Sequence, residues 1–134
     1  MTAKRLTKED ISNTTGILNP VGHVIVAFPD DAVTAEAVLA LRDAGFAEQD
    51  ILVYRAEDAT PRLAERVRSV SGAAGFGYEI NLMRRYLAFA EQGAGWLVVY
   101  APDDASVARV VEVAKRFNAH CAVRYHRLAN EDLI

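Results

Sequence analysis

The chain has 134 residues, of which 51% are hydrophobic and 25% charged. That is the composition of an ordinary globular domain and is long enough for a real core. A net charge of −3 speaks against a general nucleic-acid binder, though not against a local basic patch. One cysteine, Cys121, rules out an intrachain disulfide and any paired-cysteine zinc or redox site.

Residues 1–20 are polar and mixed in charge, and are expected to form a mobile arm ahead of a single α/β domain over 21–134. They lack the apolar segment of a secretory leader, and a short helical turn is expected after Thr7 with Asp10 as its capping partner. No apolar run approaches the length of a membrane span, so the expected location is the cytoplasm.

"HVIVAF" (23–28) is β-branched and aromatic, and Pro29 stops it. "DDAVTAEAVLALRDAGF" then places Val33, Ala37, Val38, Leu41 and Ala44 on one helical stripe, with Gly45 as its stop. "DILVYRA" (50–56) reads as a second strand, closing a first βαβ unit over 22–56.

The insert over 59–93 carries two helices. In the first, Thr60 is the expected cap, Pro61 the first helical residue, and Leu63, Val67 and Val70 the buried face. The second, "YEINLMRRYLAFAEQG", has a wide apolar arc and should meet two burial partners. A second βαβ unit over 95–127 follows: "GWLVVYA", a helix burying Val107, Val110, Val111, Ala114 and Phe117, and "CAVRYHR". In the tail, 128–134, the leucines and Ile134 are expected to dock.

"PDDA" occurs at residues 29–32 and again at 102–105, each time between a strand and a helix. A doubled βαβ predicts a ferredoxin-like α+β sandwich with a four-stranded antiparallel sheet in the order 4-1-3-2. The alternative is a three-layer domain whose inserted helices cover the second sheet face. In the ferredoxin-like arrangement the two acidic corners lie at opposite ends of the sheet. Each aspartate pair therefore reads as a helix cap rather than half of a metal site.

"GAAGFG" is the most suggestive loop. Gly72, Gly75 and Gly77 would let backbone amides approach an anion or nucleotide phosphate, with Tyr78 and the basic Arg84 and Arg85 beyond. No strand precedes it, as phosphate-binding fingerprints require, so a close-packing turn between helices is the plainer reading. His23 and His126 fall on neighbouring strands but lack a third ligand, so no metal is expected. Cys121 reads as a small core residue, and no cofactor is implied. "QGAGWLVV" (92–99) lacks the stacking aromatics of an RNA-recognition strand, so no nucleic-acid partner is expected.

Both parities of the two central strands are apolar, so both sheet faces need cover. The expected cover is a homodimer formed through the sheet face and inserted helices. The leading functional expectation is accordingly a non-enzymatic, self-associating domain. The second is a sensor of a small anionic ligand at the glycine-rich loop.

Over "HVIVAFPDDAVTAEAVLALRDAGFAEQDILVY" the chain resembles the YflT-type general stress proteins of bacteria. The likeness rests on Phe28 to Asp31, Ala44-Gly45-Phe46 and Asp50-Ile51, and extends to the glycine-rich "SGAAGFG". The resemblance implies a small cytoplasmic stress-linked domain with no agreed activity or catalytic residues, and transfers no site.

Overall fold

The computed structural model describes residues 3–12, 18–71 and 77–134. In chain order these form α1 (Lys8–Ser12), β1 (His23–Phe28), α2 (Asp31–Asp43), β2 (Ile51–Tyr54) and α3 (Ala56–Ser71). There follow α4 (Gly77–Glu91), β3 (Gly95–Tyr100), α5 (Asp104–Arg116), β4 (Cys121–Tyr125) and β5 (Asn130–Asp132). The strands form one antiparallel α+β sheet in the order β2-β3-β1-β4-β5. The four longer strands stand in the expected order. The sheet nevertheless has five strands rather than four, because Asn130–Asp132 of the tail pair with β4 as β5 and Leu133 N–H donates to the Ala122 carbonyl, while Leu128 and Ile134, expected to dock, are exposed.

The register explains the doubled PDDA. Phe28 at the end of β1 pairs with Gly95 at the start of β3, and Tyr100 at the end of β3 pairs with His23. The corners after β1 and β3 are thus separated by a strand length of about 17 Å. Asp30 caps α2 by accepting from Val33 N–H at 2.8 Å, and Asp103 caps α5 by accepting from Ser106 N–H at 2.8 Å. These bonds to backbone and hydroxyl hold the Asp103 carboxyl below its usual range.

Each second aspartate reaches outward instead. Asp31 Oδ1 accepts from Ala56 N–H at 3.0 Å, and Asp104 pairs with Arg124 at 2.8 Å. The first of these contacts corrects the expected start of α3. The helix begins at Ala56, not at Pro61, because a carboxylate from α2 caps it through space. Pro61 consequently lies inside the helix, where it lacks the N–H that would bond the Glu57 carbonyl. Thr60 is no cap; its hydroxyl donates to the Ala56 and Ala90 carbonyls and ties α3 to α4.

Both sheet faces are covered within the chain. Val24, Val26, Phe28, Leu97 and Val99 pack against α2 and α5. Ile25, Ala27, Trp96, Val98 and Val123 pack against Leu63 of α3 and Leu82, Met83, Tyr86 and Ala90 of α4. Each large side chain so covered contributes about 1.5–3 kcal/mol, which makes a bare second face untenable. The inserted helices supply the cover, so the exposed-face argument for a homodimer no longer holds.

The expected mobile arm of residues 1–20 is packed down over its described part. Thr7 and Asp10 exchange backbone-to-side-chain hydrogen bonds at the start of α1, as expected, and Ile11 and Leu18 are buried in the core beneath α3. Gly22, at a φ of +81°, lies so close to Ala3 that a side chain there would overlap it.

Candidate functional site

Between α3, the end of α1 and the second sheet face lies a cavity of about 580 Å³. That is within the range of small-molecule sites. Its floor is the sheet: Ile25 of β1, Tyr54 of β2, and Trp96 and Val98 of β3. Tyr54 and Trp96 are direct cross-strand partners, so their rings share this face at one end of the sheet. Ala59, Leu63, Arg62 and Arg66 of α3 form one wall, with Ile11, Ser12 and Leu18 on the other side.

The polar chemistry here is one-sided. Tyr54 is 9% exposed and Trp96 is 4% exposed, and the Tyr54 hydroxyl and Trp96 Nε1 are both buried with no hydrogen-bond partner among the described residues. Leaving such a group unsatisfied costs about 1–3 kcal/mol. Burial also raises the Tyr54 pKa, outweighing Arg62 and Arg66, so the hydroxyl keeps its proton. Deeper in, the Tyr86 and Tyr125 hydroxyls bond to each other at 2.7 Å, and Tyr86 meets Trp96 edge-on.

Cations gather around Tyr54 although the chain as a whole is acidic. Lys8 Nζ lies 4.7 Å from the ring centroid and Arg62 Cζ 6.0 Å from it. Arg62 donates to the Ser12 hydroxyl and Arg66 to the Ile11 carbonyl. Burial, then repulsion from Arg62, holds the Arg66 pKa below its ordinary value. Glu65 also lines the cavity, but its carboxylate pairs with Arg68.

The site expected at the glycine-rich loop lies partly outside the described residues. Gly72 and Gly75 fall outside the described residues, and Gly77 and Tyr78 open α4. Arg84 and Arg85 are exposed on α4, with Arg85 3.8 Å from Asp132 of β5. Neither arginine is among the described residues that line the cavity.

Nor do the histidines converge. His23 is buried, accepting from Leu6 N–H at Nε2 and facing the Val21 carbonyl through Nδ1, while His126 pairs with Glu131 at 2.9 Å on the outside. His120 stacks on Phe89. Among the described residues no group of three or more His, Cys, Asp or Glu could hold a metal ion. Cys121 is buried, and desolvation pushes its thiol up to about 11.

Sequence reasoning missed Tyr54, Trp96, Arg62 and Arg66. A signal existed: Arg62 and Arg66 stand four residues apart beside Leu63, and aromatic side chains with polar tips sit on otherwise apolar strands. Nothing local, however, says that these strands and that helix enclose one space. No family model, curated protein or solved structure matches this chain, so the cavity's own geometry carries the functional reading.

Proposed function

We propose that this chain is a non-catalytic binding domain that holds a small, largely apolar molecule between α3 and the second sheet face. The observation that carries this reading is a pair of buried polar atoms, Tyr54 hydroxyl and Trp96 Nε1, that have no hydrogen-bond partner among the described residues and sit on side chains lining one cavity. A tightly packed core would be expected to satisfy or exclude both. A bound molecule offering matching groups would remove that cost. The framework is read as a ferredoxin-like βαβ pair extended by one strand, which the order β2-β3-β1-β4 supports. The resemblance to general stress proteins adds a stress-linked setting to the proposal but assigns no residue to it.

Trp96 is the sole tryptophan, so its emission reports on the cavity directly. Titration with the neutral dye N-phenyl-1-naphthylamine should give saturable, one-to-one energy transfer from Trp96. Ala59→Leu, which adds bulk to the wall, should weaken it while the protein stays folded by circular dichroism. Unchanged Trp96 emission across the titration would sink the reading.

A further inference from the structure

The segment that closes one side of the cavity is tied to a buried histidine. Ile11 and Ser12 of α1 line the space, and residues 3–8 lead into them past the end of the sheet where β1 begins and β3 ends. There the His23 side chain, 1% exposed, has both ring nitrogens taken. Nδ1 lies 3.0 Å from the Val21 carbonyl and so carries the proton, which leaves Nε2 as the acceptor for Leu6 N–H at 3.1 Å. A second proton on the ring would point at the very amide that Nε2 now receives.

The arm is mismatched to a charged His23 in another way. Lys4, Arg5 and Lys8 make its first residues basic. Arg5 Cζ lies 5.6 Å from the Tyr100 ring centroid, and the His23 ring lies 5.2 Å from the same centroid. An imidazolium would therefore bring a second cation to the ring that Arg5 contacts. Asp50, just before β2, is the nearby charge that would favour it, but burial outweighs that attraction and the carboxylate is 2.8 Å from Arg5. The apolar anchors of the arm are Leu6 and Ile11. Several of its other ties come from exposed side chains, Lys8 on the Tyr54 ring and Arg62 on the Ser12 hydroxyl, and resist little.

We propose, resting on the binding reading above, that residues 3–12 form a strap over the cavity and that a proton on His23 lifts it. With His23 neutral the strap lies down and α1 completes the wall. With His23 charged the Leu6 tie is lost, the basic arm is repelled, and Ile11 and Ser12 leave the cavity. Burial holds the His23 pKa below its ordinary value while the strap is down, and lifting the strap returns it towards about 6.5. Falling pH therefore favours the lifted state, and by linkage a bound molecule favours neutral His23.

The dye N-phenyl-1-naphthylamine, uncharged throughout, tests this on the full chain. Titrations followed by Trp96 emission run from about pH 7.5 down to the onset of acid unfolding seen by circular dichroism. Below the His23 value of the strapped protein, each further pH unit should weaken the apparent dye affinity by up to about tenfold, because only the strapped fraction binds tightly. Protection of the amides of residues 3–12 against exchange, corrected for the intrinsic effect of pH, should fall over the same range while α2 and α5 stay protected. His23→Gln, which cannot charge, should bind the dye at neutral pH and show neither change. His126→Gln, on the outside beside Glu131, should behave as the unaltered chain does.

Dye affinity that holds steady to the onset of unfolding, or that falls as steeply in His23→Gln, overturns the strap and leaves the cavity reading standing. If His23→Gln does not fold, the unaltered chain decides: affinity and protection must fall together, and either change without the other overturns the proposal. Absence of dye binding at every pH overturns the binding reading and the gating that depends on it.

Discussion

The two second aspartates of the PDDA repeat should differ sharply in their importance to stability. Asp31→Ala removes a carboxylate 3.0 Å from the Ala56 amide, the first N–H of α3, and 3.7 Å from Arg55. Loss of an N-terminal cap costs about 1–2 kcal/mol. The Arg55 contact adds little, since both partners are substantially exposed. Asp104→Ala removes a shorter contact, 2.8 Å to Arg124, but Asp104 is 95% exposed and caps nothing. Its cost should fall between zero and about 1 kcal/mol. For a domain of this size the unfolding entropy is about 0.28 kcal/mol/K, so Asp31→Ala should lower Tm by roughly 4–7 °C and Asp104→Ala by no more than about 4 °C. Urea unfolding followed by circular dichroism gives the free energies directly. Equal losses in the two variants, or a larger loss in Asp104→Ala, would refute the claim that Asp31 caps α3 from a distance.

Other tests bear on separate parts of the molecule. His23 is held neutral chiefly by burial, against hydrogen bonding at Val21 and Pro20 and the nearby Asp50 carboxylate, itself paired with Arg5. Its folded pKa therefore lies below the unfolded value, near 6.5. The unfolded chain binds the proton first, so the stabilisation present above about pH 6.5 is lost as pH falls towards the folded value. The urea midpoint should drop across that window, with a shallower drop in His23→Phe; identical slopes would refute this. A proton on Nε2 would also face the Leu6 N–H it now accepts from, so amide exchange at residues 3–12 should quicken in the same range. Gly95→Ala should cost about 1–3 kcal/mol, because its new methyl would overlap Thr34 Oγ1, and Thr34→Ala should recover part of that loss in a thermodynamic cycle. Cys121, buried and with a thiol pushed up to about 11, should react with a disulfide reagent at pH 8 only after urea unfolding; rapid native reaction would contradict its core placement.

Much of the architecture was legible residue by residue. Helical spacing after each PDDA marked α2 and α5, and the caps at Asp30 and Asp103 followed from where proline ends a strand and a free amide begins a helix. Gly45, with a φ of +103°, ended α2 as its position implied. These features are local, and near neighbours along the chain decide them. The start of α3 was not legible in this way, because the group that caps Ala56 is Asp31, twenty-five positions away in sequence.

The same distinction separates the sheet from the site. Doubly apolar central strands required cover on both faces, a requirement set by composition alone. Whether a second copy or the insert would provide it was a matter of how α3 and α4 fold back, and only the tertiary arrangement decided that. The cavity belongs wholly to that arrangement. Tyr54 and Trp96 meet through strand pairing, while the end of α1, over forty residues before Tyr54, and α3, folded back directly after it, close over them. Patterning selects which residues avoid water; the space they leave between them is set by packing.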